Sequence, residues 1–97
     1  ACVYIIYSKE IDWFYIGSCL NLGARLKKHN QGVFSSSFTS KTNDWTIFYH
    51  IKDLSEYTAR KMERHIKRMR NRAYLLNIKK YPEISQKLIE KYTGSSR

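Results

Sequence analysis

The chain has 97 residues, a formal net charge of +10 and a sequence pI near 9.8. That length excludes a second domain and leaves room for one small core, while the charge favours a polyanionic partner, nucleic acid before an anionic membrane surface. No apolar run approaches the ~20 residues of a membrane span and no signal-peptide h-region opens the chain, so we expect a cytoplasmic protein without a membrane partner.

Two β-branched and aromatic segments, residues 2–7 and 13–18, predict two strands that are covered on both faces. The five residues 8–12 between them are short enough for a hairpin connection. If the strands pair so that partner numbers sum to an odd value, Tyr4 and Tyr15 lie on the same face of the sheet. A shift of one residue in the register would separate the two tyrosines.

The two cysteines, Cys2 and Cys19, show no metal-ligand spacing. We therefore predict free, buried thiols, as is usual for a cytosolic chain. Pairing of the first two strands could bring the two cysteines near each other.

A short amphipathic helix is predicted next. Asn21 is a favourable N-cap residue, and Leu22 and Leu26 lie on one face at a spacing of four. Gly32 follows the expected end near Asn30, where glycine commonly terminates a helix.

Residues 31–44 are rich in Ser, Thr and Asn without a sustained period, which predicts a loop before a third strand at 45–51. The hydroxyl groups of this loop are candidate contacts for phosphates, and Phe34 and Phe38 are candidates for stacking on a base. A plain flexible loop explains the same composition.

Helical periodicity begins at Ser55 and continues to about residue 73, with a suspected interruption at 70–72. A second helical segment covers 73–80. Pro82 suits the first turn of a last helix, and residues 93–97 are expected to form a frayed tail.

The segments Val3-Tyr4-Ile5 and Tyr15-Ile16-Gly17 lie ten residues apart on the first two predicted strands, and Arg25 follows on the next helix. This order resembles the start of the GIY-YIG nuclease domain, although Val3 stands where the family has Gly. The resemblance covers most of the chain. It implies one α+β domain over residues 1–97, with a small three-stranded antiparallel sheet flanked by helices, and metal-dependent hydrolysis of DNA.

The resemblance also implies roles for individual side chains. Tyr4 and Tyr15 are expected beside the attacking water or the phosphate, and Arg25 on the phosphate itself. A phenol becomes a useful base only if nearby cations favour the phenolate, and Arg25 supplies one such charge. Glu63 is expected to hold Mg²⁺, or Mn²⁺ in its place. The alternative to a catalytic role is that both tyrosines are half-buried residues of the sheet with a structural role only.

His29 follows Arg25 by four residues, so both can approach one phosphate from the same helix face. A solvated basic helix is the alternative for this pair. Glu63 likewise has a plain alternative, an ion pair with Lys67 four residues later. Asn77 is a weaker candidate for a polar side chain near the site.

The basic excess is concentrated in the second half of the chain. Residues 49–97 hold 13 Lys and Arg against 5 acidic residues, whereas residues 1–48 hold 5 against 3. The predicted nucleic-acid contacts lie around Glu63 and are Arg60, Arg64, Lys67 and Arg68. Such contacts bind the phosphate backbone without sequence preference and with strong salt dependence.

Two other function classes fit the same residues. The first is a non-catalytic nucleic-acid-binding module that retains the fold, and the second is a structural or protein-interaction domain. A salt titration of DNA binding separates the second from the others, and cleavage with and without Mg²⁺ separates an enzyme from a binding module. The family also serves in homing endonucleases and DNA repair nucleases, so a DNA repair role is one expectation. The sequence does not indicate an oligomeric state.

Overall fold

The computed structural model describes residues 1–33 and 38–93. Its elements in chain order are β1 (Cys2–Ser8), β2 (Trp13–Cys19), α1 (Leu22–Asn30), a 3₁₀ helix (Phe38–Lys41), β3 (Thr46–Ile51), α2 (Glu56–Met69), α3 (Arg72–Lys80) and α4 (Pro82–Thr93). The predicted α+β class, a three-stranded antiparallel sheet flanked by helices, is confirmed. None of the helices in the described ranges is long and apolar enough to cross a bilayer.

The sheet has the strand order β2-β1-β3, with both neighbours antiparallel to β1. Tyr4 pairs with Gly17 and Ile6 pairs with Tyr15, which is the odd-sum register that places Tyr4 and Tyr15 on the same face. Central strand β1 is buried on both faces, as predicted. The same prediction is wrong for β2, because this strand is an edge of the sheet and its first residue, Trp13, is exposed.

Strand alternation divides the core into two clusters, one on each face of the sheet. The cluster on the face covered by α2, α3 and α4 contains Val3, Ile5, Ile16, Ile51, Leu54, Ala59, Met62, Ile66, Leu75, Ile78 and Leu88. The cluster on the opposite face contains Cys2, Tyr4, Ile6, Cys19 and Trp45, with Tyr15, Leu22 and Leu26 packed against it. Burying one such aliphatic side chain contributes roughly 1.5–3 kcal/mol, so both faces of the sheet are needed for stability.

Polar side chains begin the helices where the sequence predicts a start. Asn21 accepts a hydrogen bond from the Ala24 amide at 3.0 Å, and Ser55 caps α2 in the same way. The suspected interruption is real, because α2 ends at Met69 and Asn71 caps the following helix. Gly32 adopts a positive φ of 71° just past α1, a conformation that glycine tolerates without steric cost.

The chain between α1 and β3 departs from the predicted loop. A short 3₁₀ helix, Phe38–Lys41, forms there and carries the buried residue Thr39. The sequence of this segment has no apolar period that would predict a helix. The turn forms because contacts with other elements hold it. Phe34 and Ser35–Ser37 lie outside the described residues, as does the predicted tail after Thr93.

Cys2 and Cys19 are directly paired on β1 and β2, and both are free thiols, as predicted. Their Sγ atoms lie 3.6 Å apart. Burial raises the pKa of the Cys19 thiol to about 11, so the thiolate is disfavoured at neutral pH.

Gly17 is required by a close approach of the Tyr4 ring. A Cβ atom at position 17 would lie 2.5 Å from the Tyr4 hydroxyl oxygen and 2.6 Å from Cζ, well inside van der Waals contact. We therefore expect Gly17→Ala to lower the free energy of unfolding by about 1–3 kcal/mol through overpacking, as measured by urea denaturation.

Gly23→Ala is the matched control for this prediction. Its Cβ would meet only the Asn21 Oδ1 atom, at 3.6 Å, and alanine favours the helix by roughly 0.5–1 kcal/mol over glycine. Equal stability of Gly17→Ala and the wild-type protein would contradict the proposed packing.

Candidate active site

The sheet face covered by α1 brings together two tyrosines and a histidine. The rings of Tyr4 and Tyr15 have centroids 6.5 Å apart, and the His29 ring lies 6.0 Å from Tyr4 and 5.2 Å from Tyr15. Tyr4 is 1 % exposed and His29 is 2 % exposed, whereas Tyr15 is only partly buried. Tyr15 is therefore the phenol of this cluster that has access to solvent.

A chain of hydrogen bonds runs through the cluster. The Tyr4 hydroxyl lies 2.9 Å from His29 Nε2, and His29 Nδ1 lies 2.7 Å from the Thr39 hydroxyl. The Arg25 guanidinium lies near the Tyr4 hydroxyl and acts on its pKa. With Tyr4 protonated, its hydroxyl can donate to His29 Nε2, and in that tautomer Nδ1 carries the imidazole proton and donates to Thr39.

Burial keeps both central groups of this chain uncharged. It raises the pKa of Tyr4 well above the usual value for a phenol, with the neighbouring Tyr15 adding to the effect. The charge of Arg25 acts in the opposite direction but does not overcome burial, so Tyr4 remains a phenol at neutral pH. Burial, followed by the Arg25 charge, lowers the pKa of His29, which favours the neutral imidazole.

The 3₁₀ helix is fixed to α1 through Trp45, which is 2 % exposed. Asn30, the last residue of α1, accepts from the Trp45 amide at 2.8 Å and donates to its carbonyl at 3.0 Å. The Trp45 indole donates in turn to the Thr39 carbonyl at 2.9 Å. These bonds place the Thr39 hydroxyl against His29 and so fix the orientation of the imidazole.

Glu63 approaches β2 from the opposite face of the sheet. Its Oε1 atom accepts from the Ser18 hydroxyl at 2.5 Å, and its Oε2 atom lies 2.6 Å from Lys67 Nζ. The ion pair that the sequence offered as an alternative for Glu63 is therefore present. Glu63 and the tyrosines approach β2 from different faces, because Ser18 and Tyr15 point to opposite sides of this strand.

A cavity of about 330 Å³ lies at the end of β2, between α1 and α2. Among its lining residues are Ser18, Arg25, Lys28, Glu56 and Arg60. Tyr4, Tyr15 and Glu63 are not among the residues that line it. Three cations against one carboxylate make this cavity electropositive, which suits a phosphate group.

The donor set near the cavity fits a hard divalent cation with few protein ligands. Within residues 1–33 and 38–93, no three His, Cys, Asp or Glu side chains cluster as a ligand set. A cation would therefore depend on the Glu63 carboxylate together with water and substrate phosphate, an arrangement typical of Mg²⁺. The Glu63 side chain is 21 % exposed, which leaves it accessible to an ion.

The remaining predicted contacts lie on the exposed sides of the helices. Arg60, Arg64 and Arg68 are exposed on α2, and Arg60 also lines the cavity. Lys67 is exposed as well but is engaged with Glu63. Asn77 is exposed on α3.

Sequence reasoning missed two residues that hold the site together, Ser18 and Thr39. Ser18 follows the Tyr-Ile-Gly segment directly, and its position in the strand alternation was a usable signal that it faces α2. Thr39 had no such signal, because its contact with His29 depends on how the 3₁₀ helix docks onto α1.

The lowered pKa of His29 predicts a loss of stability in mild acid. Below the unfolded-state pKa of about 6.5, the unfolded chain takes up a proton that the folded chain resists, so the free energy of unfolding falls as the pH drops from about 6.5 toward the lower folded-state pKa. His29→Gln, which can still accept from Tyr4, should reduce this dependence in urea denaturation between pH 5 and 7.5.

His65 is the control for the pH experiment, since burial and the charges of Lys91 and Arg68 lower its pKa too. His65→Asn should remove a separate part of the pH dependence. A His29→Gln variant with the full wild-type dependence would show that His29 does not resist protonation in the folded chain.

A family model described as the GIY-YIG catalytic domain matches residues 1–81, which include both strands of the hairpin, α1, α2 and α3. No curated protein and no solved structure matches the chain.

Proposed function

Because the chain belongs to the GIY-YIG catalytic domain family, whose members are generally nucleases, we propose that it is a metal-dependent endonuclease that hydrolyses DNA phosphodiester bonds. The observation that supports this most is the hydrogen-bonded chain from Thr39 through His29 to Tyr4, whose hydroxyl lies near Arg25 of the electropositive cavity. Such a chain can orient the Arg25 guanidinium toward a phosphate in the cavity.

Arg25 is the proposed phosphate ligand. A guanidinium donates to two phosphate oxygens at once and stabilises the negative charge that develops on them in the transition state. Tyr4 is a positioning residue in this scheme, because its buried hydroxyl is held by His29 and lies near the Arg25 guanidinium. Tyr15, which is partly exposed, is the phenol proposed to contact the attacking water or the phosphate.

Glu63 is the proposed ligand for Mg²⁺ or Mn²⁺. Such a cation, when bound, would neutralise charge on the phosphate and favour deprotonation of the attacking water. Ser18 orients the carboxylate by donating to Oε1. Lys67 pairs with the other oxygen, and its ammonium group would be free to contact the DNA backbone if a cation took its place.

The exposed cations of α2 are the proposed DNA contacts. Arg60 continues the surface of the cavity, and Arg64, Lys67 and Arg68 lie further along the helix. Their charges neutralise backbone phosphates without reading bases, so sequence selectivity must come from another source.

The alternative is a nucleic-acid-binding module that no longer cleaves. The Lys67–Glu63 ion pair favours it, since the proposed metal ligand already has a cationic partner. Single-turnover cleavage distinguishes the two functions.

Replacement of Glu63 and Arg25 tests the proposed chemistry. Glu63→Ala should abolish cleavage while DNA affinity is unchanged or higher, because a negative charge is removed from a basic helix. Arg25→Ala should lower the single-turnover rate on the order of 10²-fold or more with only a modest loss of affinity. Both rates are measured with excess Mg²⁺ at matched occupancy of the DNA.

Glu90→Ala on α4 and Lys27→Ala on α1 are the matched charge controls, and both should cleave at the wild-type rate. Unimpaired cleavage by Glu63→Ala would show that Glu63 is a surface charge only. A wild-type protein that binds DNA but does not cleave it with Mg²⁺ or Mn²⁺ would establish the binding module instead.

Lys67→Met tests whether lysine and metal compete for Glu63. Removing the ammonium group should lower the Mg²⁺ concentration needed for half-maximal cleavage, because the cation no longer displaces an ion pair. Lys61→Met removes a charge from the same helix but leaves Glu63 untouched, so it should not shift the Mg²⁺ requirement. Identical Mg²⁺ titrations for both variants would argue against Glu63 as the ligand.

A further inference from the structure

Exposed aromatic and cationic side chains lie next to one another at the hairpin end of β2. Trp13 is 44 % exposed, and its ring lies 5.7 Å from that of Phe38, which is also exposed. Arg70 stands over the Trp13 ring at 5.6 Å, and Lys41 stands over the Phe38 ring at 5.1 Å. We call Trp13, Phe38, Lys41 and Arg70 the aromatic platform.

The surroundings of the platform favour an anionic partner. The neighbouring carboxylate, Asp12, accepts from Tyr7 at 2.5 Å and pairs with Arg72 at 2.6 Å, so its charge is already balanced. The four residues of the platform carry two positive charges and no negative one, with Arg70 over the Trp13 ring. Two further carboxylates, Glu10 and Asp44, accept from Thr42 on the far side of Lys41. Flat π surfaces with flanking cations bind the bases and phosphates of single-stranded nucleic acid.

The platform also lies in line with the candidate active site. Trp13 precedes Ser18 by five residues on β2, a distance of ~17 Å at the rise of a β-strand. Arg60, Glu63 and Lys67 recur at spacings of three and four along one side of α2, and Arg70 follows directly at the C-terminal end of the helix. This side of α2 meets β2 at both ends, through Glu63 on Ser18 and Arg70 on Trp13.

We propose that the aromatic platform binds an unpaired base of the nucleic acid by stacking on Trp13. This proposal rests on the proposed function, in which the phosphate binds in the cavity. The ~17 Å between Trp13 and Ser18 correspond to about five nucleotides at the duplex spacing of 3.4 Å each. The cations of α2 would follow the backbone between the two points. The platform thus makes the chain select nucleic acid that has a single-stranded segment near the bound phosphate. Affinity for a blunt duplex does not depend on it.

Binding without a divalent metal tests this proposal, because it does not require cleavage. Three fluorescein-labelled DNA probes share one duplex: a blunt form, a form with six-nucleotide thymidine tails, and a form with tails of the same length made of abasic sites. The abasic tails carry the same phosphates but no bases. In EDTA, the wild-type protein should bind the thymidine tails roughly five- to a hundredfold more tightly than the abasic tails.

Trp13→Ala should abolish this preference without changing affinity for the blunt duplex. Tyr81→Ala is the matched control, since Tyr81 is also 44 % exposed and has Lys80 over its ring at 5.5 Å, but it lies between α3 and α4. This variant should keep the wild-type preference. Thermal unfolding checks that each variant is folded.

Tryptophan fluorescence provides a test on the unmodified protein. Trp45 is buried, so the thymidine-tailed probe should quench Trp13 emission while the abasic probe does not. Equal affinity of the wild-type protein for both tails, a preference that persists in Trp13→Ala, or no binding to either tailed probe would each overturn the proposal. A protein that shows the preference yet does not cleave with Mg²⁺ would overturn the proposed function alone.

Discussion

The Tyr4 ring lies against the backbone of Gly17 in the neighbouring strand, and the candidate site depends on that contact. Without a side chain at position 17, the Tyr4 hydroxyl reaches both His29 and Arg25 from the middle of the sheet. The same contact buries the hydroxyl, which keeps it protonated and keeps the imidazole neutral. Arg25 therefore contributes the positive charge of this cluster, and the neutral groups behind it determine where that charge points.

The edge position of β2 explains how one strand serves two sides of a site. Alternate residues of a strand point to opposite faces, so Tyr15 and Gly17 meet α1 while Ser18 meets Glu63 on α2. In a central strand these two faces would be separated by the sheet. At an edge they meet along an open border, which a long polymer can approach from the side.

The ion pair between Glu63 and Lys67 is weak enough to allow exchange for a cation. Both side chains are partly exposed, at 21 % and 47 %, and pairs of this kind contribute roughly 0.2–1 kcal/mol. A divalent cation and a phosphate backbone each offer one partner of the pair a stronger electrostatic interaction. The ion pair thus neutralises the Glu63 carboxylate on a basic helix but is weak enough for the carboxylate to exchange Lys67 for another cation.

The sequence by itself determined the parts whose cause is local. Alternation predicted the shared face of Tyr4 and Tyr15, polar caps predicted the starts of α1 and α2, and the residue pattern around Pro82 predicted the last helix. Only the tertiary structure decided that β2 is an edge, that Thr39 reaches His29, and that Glu63 approaches β2 from the face opposite Tyr15. These features join residues 10 to 45 positions apart in the chain, and their energies come from burial and from hydrogen bonds between separately formed elements. Periodicity and capping act within a few residues, so they carry no information about such contacts.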